Sequence, residues 1–497
     1  MKRAGIAFAT LVVALVALVG LLFLGDRRHE VAPKPIVVFC AAGMTVPMTA
    51  IAQQYEDEYG VPVRLQFGGS GTLLSSVRVA PGDLYLAADD SYIEKAREMG
   101  LVDEAIPVSY LIAGIGVAAG NPKGISSIQD LDRDDVRIGF ALPALASVGK
   151  LTRDVLQRQG VWDALEARAS LMSGTVNELA NALKLGTLDA AIVWDALASQ
   201  YDELDFVHVS EFEPERKQIT IGVLKRSLQA PVALRFARYV TASDRGLSVF
   251  RKSGYETIDG DAWSERPEIL LYSGAMLRPA IADTVAAFAV REGVSIRPVY
   301  NGCGILVSQM KAGGSPDAYF SCDVKFMEMV QERFESPVTV SGNDMVILTV
   351  KGNPQKIELL EDLARPGLRL GLAHPDKSAL GSLTRTLLQT QGVYPGIMDA
   401  GNLILDSPTG DFLVNQIRVG SLDAVIVYRS NALSHAATRE DCDVVEIDAP
   451  GSRSRQPYAV GKASMHKQLM ARLLRRITSS ESRDTFQSFG FRWELDE

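Results

Sequence analysis

The stretch "LKLGTLDAAIVW", Leu183 to Trp194, returns downstream as "IRVGSLDAVIVY", Ile417 to Tyr428, 234 positions later. Six of the twelve letters are identical, and most of the rest exchange like for like: Lys for Arg, Thr for Ser, Trp for Tyr. A shift of 232 to 236 residues brings nearly everything after residue 36 onto a partner. "RIGFALPALASVGKLTRDVLQRQGV" from Arg137 meets "RLGLAHPDKSALGSLTRTLLQTQGV" from Arg369 with thirteen identities in twenty-five. "CAAGMTVPM" from Cys40 meets "YSGAMLRPA" from Tyr272, and "FGGSGTLLSSV" from Phe67 meets "YNGCGILVSQM" from Tyr300. Asp83 and Asp89 meet Asp317 and Asp323. A period of this size is that of a domain, not of a solenoid repeat, so one domain is written twice. The copies are expected at 36–259 and 267–497, joined by residues 260–266 within the polar "DGDAWSERP" segment.

Inside each copy, short apolar runs alternate with amphipathic stretches. "PIVVFCAA" reads as a strand, "VPMTAIAQQYEDEYG" as a helix opened by Pro47 and closed by Gly60, and "VPVRLQFGG" as the next strand. "DLYLAAD" continues the alternation, and "VRIGFA" starts a second set of strands and helices, followed by "NELANALKLG" and "LDAAIVW". This pattern predicts an α/β fold with parallel sheets covered on both faces, and two such lobes per copy.

Composition narrows the rest. A chain of 497 residues with 47% apolar and 22% charged residues is globular and suits several domains. A net charge of -9 argues against a nucleic-acid partner, which calls for a basic face. Ala4–Gly25 is an uninterrupted apolar or small run after Met-Lys-Arg, long enough at about 1.5 Å per residue to cross a bilayer core. Residues 1–35 are therefore expected to be a membrane anchor or a cleaved signal segment, with the remainder exported. Cys40 follows Phe39, where a lipoprotein cysteine calls for a small residue. Cys40, Cys303, Cys322 and Cys442 make no CxxC motif; a Cys303–Cys322 bridge is one possible pairing.

Small-residue loops between strand and helix recur at Ala42–Thr45, Gly68–Thr72, Ala146–Gly149 and Ser173–Val176. Helix starts leave amide N–H groups unpaired and carry the positive dipole end, so such loops suit an anion. Glycine and alanine let an oxyanion approach the backbone, and Ser70 and Thr72 add hydroxyl donors.

With these motifs in order, each copy resembles the molybdate-binding periplasmic proteins of ABC transporters, a family of type II periplasmic solute-binding proteins. The helix followed by Gly-x-Leu-Asp-Ala and a strand ending in an aromatic residue is its most discriminating part. The resemblance implies two tandem domains, each of two α/β lobes with a ligand cleft between them. It also implies an oxyanion held by backbone N–H groups and neutral hydroxyls, an ABC permease as partner, and no cofactor or metal. By position, the first copy offers Gly43, Ser70, Thr72, Ala146, Val176 and Trp194, and the second Ser273, Ala275, Cys303, Ser378, Gly410 and Tyr428. The copies depart from the family's donor set in different places. Gly43 and Ala275 lack the first-loop hydroxyl, although Thr45 and Ser273 stand nearby; Cys303 replaces a hydroxyl, and Trp194 offers an indole N–H in place of a phenol.

A site built only of donors prefers a fully ionised tetrahedral dianion, because a protonated phosphate has a hydrogen that needs an acceptor. Asp83, Asp89, Asp317 and Asp323 are expected to cap helices or brace the lobe. The five histidines, His29, His208, His374, His435 and His466, show no HxxxH spacing; only His374 stands in a candidate ligand loop. "GGSG" is not a nucleophile elbow and "SVGKLT" is not a P-loop, so no catalytic residues are expected. The alternative to transport is a membrane-tethered sensor or scaffold that uses the same domains.

Overall fold

The structure, a computed structural model, describes residues 33–495. The expected anchor at Ala4–Gly25 lies outside the described residues; among those described, no helix is long and apolar enough to cross a membrane.

The strands of the first copy are β1 (Ile36–Ala41), β2 (Val63–Gly68), β3 (Leu84–Ala87), β4 (Val102–Leu111), β5 (Ala113–Ala118), β6 (Ile138–Ala141), β7 (Leu171–Ser173), β8 (Ala190–Trp194), β9 (Leu204–Val207), β10 (Lys217–Leu224) and β11 (Glu256–Thr257). They form one sheet in the order β11-β4-β10-β3-β1-β2 and a second in the order β7-β6-β8-β5-β9. The first helix runs Thr45–Tyr59 and ends on Gly60, whose φ of +66° is the left-handed conformation that glycine adopts without a Cβ clash.

Two expectations are corrected. The sheets are mixed, not parallel: β1 runs parallel to β2 and β3, whereas β10 runs antiparallel to β3 and β4. In the second sheet β6 is parallel to β7 and β8, and β5 antiparallel to β8. The second lobe also begins earlier than "VRIGFA" suggests. The chain crosses at Ile112 and returns between β9 and β10, so β10 and β11 complete the first lobe. Asp195 pins this crossing: its carboxylate accepts the Ile112 N–H at 3.2 Å, and its own N–H donates to the Ile112 carbonyl at 3.0 Å.

In the second copy the corresponding strand does not break. Val338–Val350 pairs with Arg453–Val460 through its first half and with Ala424–Tyr428 through its second, which fuses the two lobes into a ten-stranded sheet.

The twice-written stretch has the same structural jobs in both places. Gly186 (φ +67°) and Gly420 (φ +75°) turn the chain out of a helix, and Leu188 and Leu422 are buried at 3% and 1% exposure. Asp189 then takes the backbone N–H of Arg137 at 2.9 Å and its guanidinium at 2.8 and 3.0 Å. Asp423 does the same for Arg369, at 2.9 Å from the backbone N–H and 2.7 and 3.3 Å from the guanidinium. Each pair locks the buried strand that follows beside the strand that begins at the arginine, and so places Trp194 and Tyr428 at the strand ends.

The connecting segment is bound to both copies. Trp263 donates its indole N–H to the Tyr59 hydroxyl at 2.8 Å, and Asp261 accepts the N–H groups of Gln468 and Leu469 at 2.8 and 3.0 Å, capping the helix Lys467–Ile477. Arg291 of the second copy holds Glu104 of the first in a two-bond fork at 2.7 and 2.9 Å.

Candidate functional site

In the first copy, the turn Ala42–Met44 after β1 and the helix Ser70–Val77 after β2 belong to one lobe; the helices Ser147–Arg158 and Val176–Lys184, after β6 and β7, belong to the other. The starts of all four meet across the gap and line a cavity of about 10 Å³, with Gly43, Ser70, Ala146, Val176 and Trp194 on its walls. The second copy repeats this with a cavity of about 20 Å³ lined by Ala275, Ser378, Gly410 and Tyr428, among others. Spaces this small admit about one water-sized centre. Among the described residues, no Asp, Glu, Lys, Arg or His lines either cavity.

Local hydrogen bonds fix these loops. Ser173 donates its hydroxyl to the Thr175 carbonyl (2.9 Å) and accepts the Thr175 N–H (3.2 Å); Ser407 and Thr409 repeat both bonds at the same distances. Thr175 and Thr409 then cap their helices by accepting the N–H of Glu178 and Phe412, each at 3.4 Å. The N–H groups of Val176 and Gly410 are the first of these helices, which have no partner within the helix itself. Ser70, 1% exposed, accepts the Ala88 N–H at 3.3 Å, which leaves its own hydroxyl proton for an acceptor in the cavity.

The glycines of "GGSG" and "NGCG" have a role the sequence reading assigned to ligand approach. An added Cβ on Gly69 or Gly71 would lie 2.3 Å from the carbonyl oxygen of Leu145 or Ala144, in the opposite lobe. On Gly302 or Gly304 it would lie 2.4 Å from Lys377 O or 2.2 Å from Asp376 O. The Gly71 N–H already donates to Leu145 O at 2.9 Å. These glycines let the lobes close on each other.

In the second copy, Tyr428 is 2% exposed and its hydroxyl makes no hydrogen bond of ordinary geometry among the described residues. Burial, with Cys322 and Asp323 nearby, pushes that phenol well above its usual range, so it stays a neutral donor. Asn431 also lines the cavity; its amide donates to Asp411 at 2.7 Å and its carbonyl accepts the Tyr428 N–H at 3.3 Å. Burial raises the Asp411 carboxyl above the usual range, although the Asn431 bond opposes it.

Three of the sequence candidates do not line a cavity. Thr72 is the third residue of its helix, where its N–H donates to Leu145 O at 3.3 Å. Ser273 is fully buried behind the loop, its hydroxyl 3.4 Å from Gly274 O. Cys303 is fully buried outside the cavity lining, its sulfur 2.6 Å from the sulfur of Cys322, which does line the cavity. His374 accepts the Asp376 N–H and stays outside the cavity. The aspartates brace the fold. Asp83 accepts Val37 N–H, Ser227 and Gln229; Asp317 accepts Leu270 N–H and Ser464; Asp89 and Asp323 cap helices. Asn431, Cys322, Thr175 and Thr409 escaped the sequence reading. For Asn431 a signal existed: it stands three residues after Tyr428, where the first copy has Leu197 after Trp194.

A two-lobed clamp with a small donor-lined cleft, present twice, defines a solute-binding protein. The chain belongs to the bacterial extracellular solute-binding protein family, whose model matches residues 36–256 and again 269–492. This is a binding family, not an enzyme family. The molybdate-binding protein ModA of Mycobacterium tuberculosis is 28% identical over 227 residues, 45% of this chain and 84% of that protein. A binding protein of Haemophilus influenzae is 26% identical over 222 residues, 44% of this chain and 90% of its own. Among solved structures, the periplasmic molybdate-binding protein of Azotobacter vinelandii is 19% identical with a TM-score of 0.38, covering 45% of this chain and 100% of that one.

Proposed function

We propose that each copy closes on one small, fully ionised tetrahedral oxyanion of the molybdate, tungstate or sulfate class, and that the chain delivers it to an ABC permease. The observation that carries this reading is that, among the described residues, no charged side chain lines either cavity, whose walls are instead helix starts and neutral side chains, hydroxyls among them. Donors of this kind neutralise a dianion through dipoles, without a counter-charge that would hold it too indiscriminately. The molybdate-binding relatives support the same class of ligand. Closure is a population shift: the ligand bridges donors from both lobes and favours the closed form only through the contacts made there.

The test is a thermal-shift series on the full chain at pH 6 with tungstate, molybdate, sulfate and phosphate. At about 100 times its dissociation constant, a ligand stabilises the copy that binds it by roughly 2.7 kcal/mol. A shift with one or more of the dianions and none with phosphate, which at this pH is mainly the doubly protonated monoanion, is expected. A larger shift with phosphate, or none with any anion, contradicts the reading.

A further inference from the structure

Three positions differ together between the two clefts. Ser70, Ala88 and Ala42 of the first copy are Cys303, Cys322 and Gly274 of the second. Their backbone setting is the same: the Ala88 N–H donates to Ser70 Oγ at 3.3 Å, and the Cys322 N–H donates to Cys303 Sγ at 3.1 Å. The third change makes room for the second, since a Cβ on Gly274 would lie 2.1 Å from Cys322 Sγ and 3.3 Å from Cys303 Sγ. An alanine like Ala42 is therefore incompatible with a sulfur at position 322. The glycine, the thiol and its neighbour form one coordinated replacement.

We propose that Cys303 and Cys322 form a reversible disulfide beneath the second cleft, and that this bond weakens anion binding there while leaving the first cleft untouched. The two sulfurs are 2.6 Å apart, on the start of the helix Cys303–Lys311 and just after the strand Ala318–Phe320. Cys322 lines the cavity, so opening of the lobes exposes it to an oxidant. A disulfide-bearing oxidant is reduced to two thiols as the two cysteine S–H bonds break and one S–S bond forms; the two protons and two electrons pass to the oxidant. Gly274 closes over both sulfurs, so a bulky mixed disulfide does not fit in the closed cleft and the neighbouring thiol displaces it. Cys303, fully buried and 2.6 Å from Cys322, is the thiol that attacks the mixed disulfide formed on Cys322; against the upward push of burial, hydrogen bonds involving Cys322, Tyr319 and Ser321 hold its thiol below the ordinary range. Once bonded, neither sulfur retains a proton to donate toward the cavity.

The effect on ligand rests on the oxyanion reading; the bond itself does not. Full-length protein is treated with oxidised glutathione or with a phosphine reductant, denatured, alkylated and mapped by mass spectrometry. After oxidation, Cys40 and Cys442 are alkylated and the Cys303 and Cys322 peptides are linked; after reduction all four are alkylated. Four alkylated cysteines after oxidation, or a link to Cys40 or Cys442, overturns the proposal. In parallel, tungstate titration of the oxidised protein is expected to show one of two sites weakened about tenfold relative to the reduced protein. The Cys322→Ala chain is expected to lose that dependence. Equal affinities in oxidised and reduced wild type overturn the gating, and a chain that binds no tungstate overturns the oxyanion reading while the alkylation map still decides the bond.

Discussion

The hydroxyl of Tyr428 is buried and, among the described residues, makes no hydrogen bond of ordinary geometry, with Ser454 as a weak partner; such a state costs about 1–3 kcal/mol unless something accepts its proton. Under the proposed function, a bound oxyanion is that acceptor. Tyr428→Phe is accordingly expected to leave the ligand-free protein as stable as wild type or more so, while tungstate binding in the second copy falls about tenfold. Calorimetric titration and ligand-free thermal melts on the same sample separate the two effects; a variant that loses stability and keeps its affinity contradicts the assignment. A second residue-scale effect belongs to Asp189 and Asp423. The Arg137 and Arg369 guanidinium groups, followed by a backbone N–H each, hold these carboxyls below the usual carboxylate range. A depressed folded pKa contributes stability that is present above the unfolded value of about 3.9 and is lost as pH falls through the folded one. The double variant Asp189→Asn, Asp423→Asn should thus be less stable than wild type at pH 7 and show a shallower loss of stability below pH 4. Equal acid slopes in urea titrations contradict this. Both aspartates were legible as part of a repeated motif, but their arginine partners stand 52 and 54 residues away and only the fold brings them together.

At the scale of elements, the loops that open the helices were legible because small residues after an apolar run mark a strand-to-helix turn. Their convergence was legible only through the resemblance. What the sequence did not disclose is that Gly69, Gly71, Gly302 and Gly304 face carbonyl oxygens of the opposite lobe, since lobe-to-lobe contact has no local signature. Nor did the alternation of strands and helices reveal the antiparallel β5 and β10, which follow from where the chain crosses between lobes. Gly71→Ala tests the closing role. Its new methyl would sit 2.3 Å from Ala144 O, so closure is blocked, whereas the helix itself gains from alanine. The expected result is a folded chain whose first site binds tungstate at least tenfold more weakly and whose second site is unchanged. Unaltered affinity at both sites would show that closure does not depend on this approach.

Across the whole molecule, a duplicated clamp has become two different clamps. The first keeps Ser70 and sets Trp194 at the end of its late strand; the second keeps Tyr428, adds Asn431 and replaces the serine with a cysteine beside Cys322. The segment between them is no loose tether: Trp263 packs on Tyr59 and Tyr239, Asp261 caps a helix of the second copy, and Arg291 grips Glu104. The duplication itself was fully legible, because two copies of one fold preserve the same spacing of buried strands and turn glycines. The mutual docking was not, because it rests on side chains outside the repeated motifs.

The most direct measurement is calorimetric titration of the full chain with tungstate under reducing conditions. Two anions per chain are predicted, with Ser70→Ala weakening one site and Tyr428→Phe weakening the other. A chain that takes up no anion, or variants that leave both sites as they are in wild type, would contradict the claim that neutral donors at converging helix starts hold the ligand.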